Sequence, residues 1–181
     1  MVFNQITLDG YFTDPDGDMS WAHKQDPEWT AFTSENASGD GQLLFGRVTY
    51  DMMASFWPTP QAHELAPIVA QRMNQASKVV FSKTMTKATW KNTQVLNGDP
   101  AAEVKKLKQA PGPNMVIMGS DSIVSLLAQA RLIDSYQIVI NPTVLGKGRT
   151  LFEGVHDKFQ LKLDKTRTFS NGNVVLWYKP S

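Results

Sequence analysis

The apolar positions of this chain fall mostly into short runs, each closed by a turn residue and followed by a stretch with helical spacing. Val2 to Leu8 reads as a first strand, ended by Asp9-Gly10, and Asp14-Pro15-Asp16-Gly17-Asp18 as the loop after it. Asp26-Pro27-Glu28 has the form of a helix start, with proline in the first turn and acids at the positive end of the dipole; Trp29 and Phe32 then face inward. Leu43-Leu44-Phe45 is a short buried strand. It ends in Gly46 and enters a helix on which Val48, Met52 and Met53 share one face. Ile68, Val69, Arg72 and Met73 carry helical spacing from about Ala66 to Ala76, and Lys78 to Ser82 holds a second buried strand around Val79-Val80-Phe81. Asp99-Pro100 opens a helix through Val104 and Leu107. Met115 to Met118 is a third buried strand, closed by Gly119. Ser120 then caps a helix with an apolar stripe of Ile123, Val124, Leu126, Leu127 and Ala130.

The pattern changes toward the C-terminus. Tyr136 to Ile140 reads as a strand, and Phe159, Leu161 and Leu163 alternate with Gln160, Lys162 and Asp164 as in a strand with one wet face. Asn171-Gly172 signals a tight hairpin turn before Val174 to Tyr178. Parallel βα units followed by an antiparallel end predict one α/β domain over residues 1–181. It has three layers: a mixed, mostly parallel sheet, helices on both faces and a C-terminal hairpin.

Composition narrows the chemistry. The 181 residues suit one domain. With 18 basic and 17 acidic residues the net charge is +1, which lacks the basic excess that nucleic-acid or anionic-membrane binding needs. There is no cysteine, so disulfides, thiolate-bound zinc and thiol catalysis are excluded. No apolar run approaches transmembrane length and no secretory pattern opens the chain; the expected location is the cytoplasm.

Two segments share the layout buried strand, glycine, helix: Leu43-Leu44-Phe45-Gly46-Arg47-Val48-Thr49 and Val116-Ile117-Met118-Gly119-Ser120-Asp121-Ser122. In parallel sheets ligands sit beyond the carboxyl ends of strands, and a helix start there offers free N–H groups to phosphate. Two such turns at one edge would grip the two ends of a dinucleotide; taken singly, each also reads as a plain strand-to-helix turn. Arg47, Ser82 and Lys83 are placed to meet a phosphate monoester together. Gly146-Lys147-Gly148 lacks the upstream glycine and the Ser or Thr of a P-loop and reads as hairpin glycines. His23, His63 and His156 show no ligand spacing, the Asp14 to Asp18 cluster lacks the distal Glu of a calcium loop, and no metal site is expected.

In order along nearly the whole chain, these pieces resemble the dihydrofolate-reductase-like superfamily. The branch is that of the reductase domain of the riboflavin-pathway deaminase-reductase. The resemblance rests on Thr7-Leu8-Asp9-Gly10, Leu44-Phe45-Gly46-Arg47-Val48-Thr49-Tyr50, Lys78-Val79-Val80-Phe81-Ser82-Lys83-Thr84, Val116-Ile117-Met118-Gly119-Ser120, Leu132-Ile133-Asp134, Asn141-Pro142-Thr143-Val144-Leu145-Gly146-Lys147-Gly148-Arg149 and Leu151-Phe152. Two departures are Ser120, where many relatives have a second glycine, and Ser135, where an acid commonly stands. Serine at 120 is expected to cap its helix while making an unusual backbone geometry harder.

The resemblance implies NADPH, with Gly46, Arg47 and Thr49 at its phosphates and nicotinamide side. It puts Ser82 and Lys83 near the adenosine 2′-phosphate, and Gly119, Ser120 and Asp121 at the pyrophosphate. It also implies a reductase of a pyrimidine- or pterin-like ring, in the manner of 5-amino-6-(5-phosphoribosylamino)uracil reductase, with Asp9, Trp21 and Tyr50 on the substrate side. Glu28, ahead of Asp26, is the expected proton donor, although both are also ordinary helix-start acids. Dihydrofolate reductase and a non-catalytic nucleotide-binding protein on the same fold stay open as alternatives. Phe56, Trp57 and Pro58 form an aromatic loop that predicts a homodimer.

Overall fold

The computed structural model describes residues 1–23 and 26–181. The strands are β1 (Val2–Thr7), β2 (Tyr11–Thr13), β3 (Gln42–Gly46), β4 (Lys78–Phe81), β5 (Thr93–Leu96), β6 (Met115–Ile117), β7 (Tyr136–Asn141), β8 (Arg149–Thr150), β9 (Leu161–Thr168) and β10 (Val174–Pro180). The helices are α1 (Pro27–Ala37), α2 (Arg47–Phe56), α3 (Pro60–Leu65), α4 (Pro67–Gln75), α5 (Pro100–Gln109) and α6 (Asp121–Gln129), with one 3-10 turn at Ser20–Ala22.

Eight strands form one sheet in the order β5-β4-β3-β6-β1-β7-β10-β9. β5, β4, β3, β6, β1 and β7 are mutually parallel, whereas β10 runs antiparallel to both β7 and β9. This is the predicted class. Alternating side chains feed the two faces. Leu44, Val79 and Ile117 meet Val104 of α5 and Ile123, Val124 and Leu127 of α6. Leu43, Phe45 and Val80 meet Tyr50 of α2 and Met73 of α4. On the same side as that second group, Val139 and Val175 meet Trp29 and Phe32 of α1. Phe45 is wholly buried, and burying such a ring contributes about 1.5–3 kcal/mol.

Several expectations need correction. On α2, Val48 and Met52 are 78% and 47% exposed, and the buried residues are Thr49 and Tyr50. The apolar spacing was therefore real but points outward. Leu163 of β9 is 47% exposed, so this edge strand has no dry face as long as its neighbour's. The Gly146-Lys147-Gly148 segment is no hairpin; it feeds β8, which pairs antiparallel with β2 in a separate small sheet. The short elements β2, β5, β8 and α3 carry no sequence signal strong enough to predict. No helix among the described residues is long and apolar enough to cross a membrane.

Candidate functional site

The centre of the site is the carboxyl edge of β3 and β6, which are adjacent and parallel. Each strand ends in a glycine turn that starts a helix, α2 after Gly46 and α6 after Gly119-Ser120. The two turns touch. A Cβ on Gly46 would collide with Ser120 Oγ and reach 3.2 Å from Ile123 Cγ1. Gly119 has φ +98°, and a Cβ there would lie 3.2 Å from Thr49 Oγ1 and 3.4 Å from Phe12 Cζ. The opposite turn thus blocks a side chain at Gly46, and the positive φ disfavours one at Gly119. The Gly119-Ser120 peptide is cis.

These two helix starts differ from most of the others. Side chains cap α1 (Asp26 to Trp29 N–H), α3 (Thr59 to Ala62 N–H) and α5 (Asp99 to Ala102 N–H). Among the described residues no side chain caps α2 or α6. Ser120 occupies the cap position without the expected bond, because its hydroxyl is paired with Ser122 Oγ at 2.8 Å. First-turn N–H groups of two helices, with their positive dipole ends, therefore converge on one edge.

Cations ring that edge. Arg47 Nη1 donates to Thr84 Oγ1 at 2.5 Å, which joins the start of α2 to the turn after β4. In that turn Ser82 Oγ accepts the N–H of Met85 at 3.1 Å, and Lys83 is exposed. Asp121 departs from expectation: its side chain is 8% exposed and its Oδ2 lies 2.6 Å from Arg149 Nη2. A bare carboxylate would repel a pyrophosphate. Here it orients Arg149, a cation that sequence reasoning missed because it followed glycines read as a hairpin. The β2–β8 pairing carries Arg149 to this place.

The substrate-side residues fare unevenly. Asp9 is consumed by the fold: Thr7 Oγ1 donates to it at 2.6 Å and Gly146 N–H at 2.7 Å. The Thr7 hydroxyl, with the Gly146 and Leu145 N–H groups, holds this carboxyl below the usual range. It is a clasp between the loops after β1 and β7. Tyr50 is 1% exposed and its hydroxyl accepts the Trp90 N–H at 2.9 Å, so it is core and does not face a ligand. Trp21 is half-buried, and its indole N–H is buried without a partner among the described residues.

The two candidate proton donors are also engaged. Asp26 Oδ1 accepts the Trp29 N–H at 2.8 Å and Oδ2 accepts the Ser170 hydroxyl at 3.1 Å. Glu28 faces the β9–β10 hairpin, 3.4 Å from Arg167 Nη2 and 3.3 Å from the Ser170 N–H. Its side chain is 44% exposed, the opposite of the burial a raised-pKa donor needs. Asp26, not Glu28, lines the open trough between α1 and α4, with Pro27, Thr30, Ala31, Ser34 and Ile68. Among the described residues no cluster of metal-binding side chains occurs.

Three similarities bear on this geometry. An uncharacterized protein of Bacillus subtilis (strain 168), YyaP, is 29% identical over 175 residues, covering 96% of this chain and 90% of that one. The crystal structure of a putative riboflavin biosynthesis protein from Shewanella sp. PV-4 superposes with a TM-score of 0.77 at 24% identity, covering 99% and 97% of the two chains. Dihydrofolate reductase from Enterococcus faecalis, complexed with NADP(H) and RAB-propyl, gives 0.67 at 14% identity, covering 99% and 95%. The fold is dihydrofolate-reductase-like. The family model of the RibD C-terminal domain matches residues 1–175, and the chain belongs to that family.

Proposed function

We propose that this protein is an NADPH-dependent reductase of a small pyrimidine- or pterin-like heterocycle. One observation carries the reading: two helix starts without side-chain caps meet at the carboxyl ends of adjacent parallel strands, flanked by Arg47 and Arg149. That donor set fits the phosphates of a dinucleotide. The first turns of α2 and α6, with Arg149, would hold the pyrophosphate. Arg47, Ser82 and Lys83 would hold the adenosine 2′-phosphate. Membership of the family supports an oxidoreductase, and NADPH when bound supplies the hydride.

The chain's own part is to bind, orient and exclude water. Trp21, whose buried indole N–H has no partner among the described residues, would pack beside the ring, whereas Asp9 is engaged by the fold and Tyr50 is core. The engagement of Asp26 and Glu28 by the hairpin weighs against a folate reductase, which pairs a helix carboxylate with its pterin. The test is NADPH oxidation with 5-amino-6-(5-phosphoribosylamino)uracil, its dephosphorylated form and dihydrofolate in parallel. Turnover of a uracil substrate is expected. Turnover of dihydrofolate alone would move the assignment to the folate branch, and failure to bind NADPH would end the reductase reading.

A further inference from the structure

The turn after β4 is held by a residue that belongs to another strand. Asn97 follows β5, which pairs parallel with β4. Its Nδ2 donates to the Ser82 carbonyl at 2.5 Å and to the Met85 carbonyl at 2.9 Å. An amide nitrogen has two hydrogens, so both are spent on the two ends of one four-residue turn. Within it Ser82 Oγ accepts the N–H of Thr84 at 3.3 Å and of Met85 at 3.1 Å. Ser82 N–H donates to Leu96 O at 3.1 Å, which ties the start of the turn to the strand that delivers Asn97. Arg47 closes the far side through Thr84.

Lys83 stands between the two pinned ends, exposed and outside the ion pairs of the described residues. A lysine is a compact charge on a flexible stem, so its contribution to binding depends on how well its backbone is placed beforehand. Asn97 acts on the carbonyls on either side of Lys83.

We propose that Asn97 sets the preference for a 2′-phosphorylated nucleotide by holding the Ser82–Met85 turn closed. It is a positioning residue, and the inference rests on the reading of this turn as the 2′-phosphate site. Without Asn97 the carbonyls of Ser82 and Met85 lose the side chain that ties them together, and the turn keeps the bonds to Ser82 Oγ, the Ser82 N–H bond to Leu96 and the Arg47 contact at Thr84. Lys83 then samples more positions, and the 2′-phosphate loses a preplaced cation. NADH has no group there and is indifferent to the change.

The experiment measures dissociation constants of NADPH and NADH for the full chain, for Asn97→Ala and for Asn97→Leu, which keeps nearly the same shape and removes the donor without adding charge. Amide hydrogen exchange at Thr84 and Met85 is followed alongside. NADPH binding is expected to weaken roughly three- to tenfold in both variants, with NADH unchanged and exchange at the two amides faster. In the Lys83→Ala background, Asn97→Ala is expected to change nothing further, since its effect passes through Lys83. An unchanged NADPH-to-NADH ratio, equal loss of both nucleotides, or additive effects with Lys83→Ala overturns the inference alone. A wild-type protein that binds the two nucleotides equally, or neither, overturns the reading of the turn and the inference with it.

Discussion

Asp121 Oδ2 and Arg149 Nη2 lie 2.6 Å apart, joining the first turn of α6 to a two-residue strand contributed from beyond β7. A guanidinium has five N–H donors, and this pair uses one nitrogen of Arg149, whose side chain is 56% exposed. The exposed guanidinium is thereby held at the first turn of α6, where no side chain of the described residues caps the helix. Because the pyrophosphate is common to both nicotinamide cofactors, Arg149→Met should weaken NADPH and NADH alike, by roughly 10- to 100-fold. Asp121→Asn should weaken both less. Fluorescence titration with each nucleotide checks this, and an unchanged affinity in Arg149→Met removes Arg149 from the site.

Lys83 should behave differently. On the proposed reading its charge serves the group that only NADPH carries, so Lys83→Ala should lower the NADPH preference by roughly tenfold or more while sparing NADH. Arg47→Ala should lower it too, and additionally loosen the turn by removing the Thr84 contact. Since Lys83 is exposed, added salt should shrink the preference in the wild type. Equal dissociation constants for the two nucleotides at low salt would contradict the 2′-phosphate assignment.

The hairpin contacts reverse the expectation for Glu28. A carboxylate 44% exposed and facing Arg167 lacks the enclosed position beside a ring that a general acid uses. Glu28→Gln should therefore leave the chemical step unchanged within about twofold, far from the roughly hundredfold loss expected of a general acid. Asp26→Ala should cost about 1 kcal/mol of stability through the lost cap at Trp29. Single-turnover rates and thermal melts separate the two effects, and a large loss of rate in Glu28→Gln would restore it as the donor.

These residues also show how far the sequence could be read. Gly46 and Gly119 were legible because a buried run followed by glycine and a helix is a local signal, and the parallel sheet brings such turns together. Asp26 and Glu28 were legible as helix-start acids but not in their direction, because Ser170 and Arg167 reach them from the far end of the chain. Arg149 was hidden for the same reason: its partner Asp121 is set by the β2–β8 pairing, and neither short strand has a hydrophobic pattern of its own. Tyr50 matched the family pattern beside Thr49, yet one step along a helix turned it from the cleft into the core.

We propose a homodimer as the solution state, through the outer face of α2 and Phe56 at its end rather than through Trp57. Trp57 is half-buried, and its indole N–H donates to Met53 Sδ at 3.0 Å, so it packs on its own chain. The edge strand β9 exposes Lys162, Lys165 and Arg167, which disfavour edge-to-edge pairing. The outward row Val48, Met52 and Phe56 on α2, at 78%, 47% and 37% exposure, offers three apolar side chains at helical spacing for such a contact. Sedimentation should give twice the 20.2 kDa chain mass, and Phe56→Asp should return it to one chain. A single-chain mass for the wild type at micromolar concentration ends the proposal.

Lys78 should give the fold an alkaline stability maximum. The side chain is buried, its Nζ donates to the carbonyls of Met73 at 2.8 Å and Ala76 at 2.7 Å, and it lies 4.4 Å from the Trp90 ring centroid. Burial, reinforced by the positive charge of Arg72, pushes its amine down from 10.5 to about 8. Between those values the unfolded chain holds more protons than the folded one, so stability rises with pH there. Tyr136 acts in the other direction: burial pushes its hydroxyl up from 10.0 to about 12, so the folded chain keeps a proton the unfolded one loses and stability falls above 10. Denaturant unfolding should thus show a rise from about pH 8 to about pH 10 and a decline beyond it. The rise should be on the order of 1 kcal/mol, less than the whole shift implies, because the carbonyls at the end of α4 favour the ammonium form. Lys78→Met should abolish the rise and keep the decline, whereas an identical rise in that variant would assign it to another group.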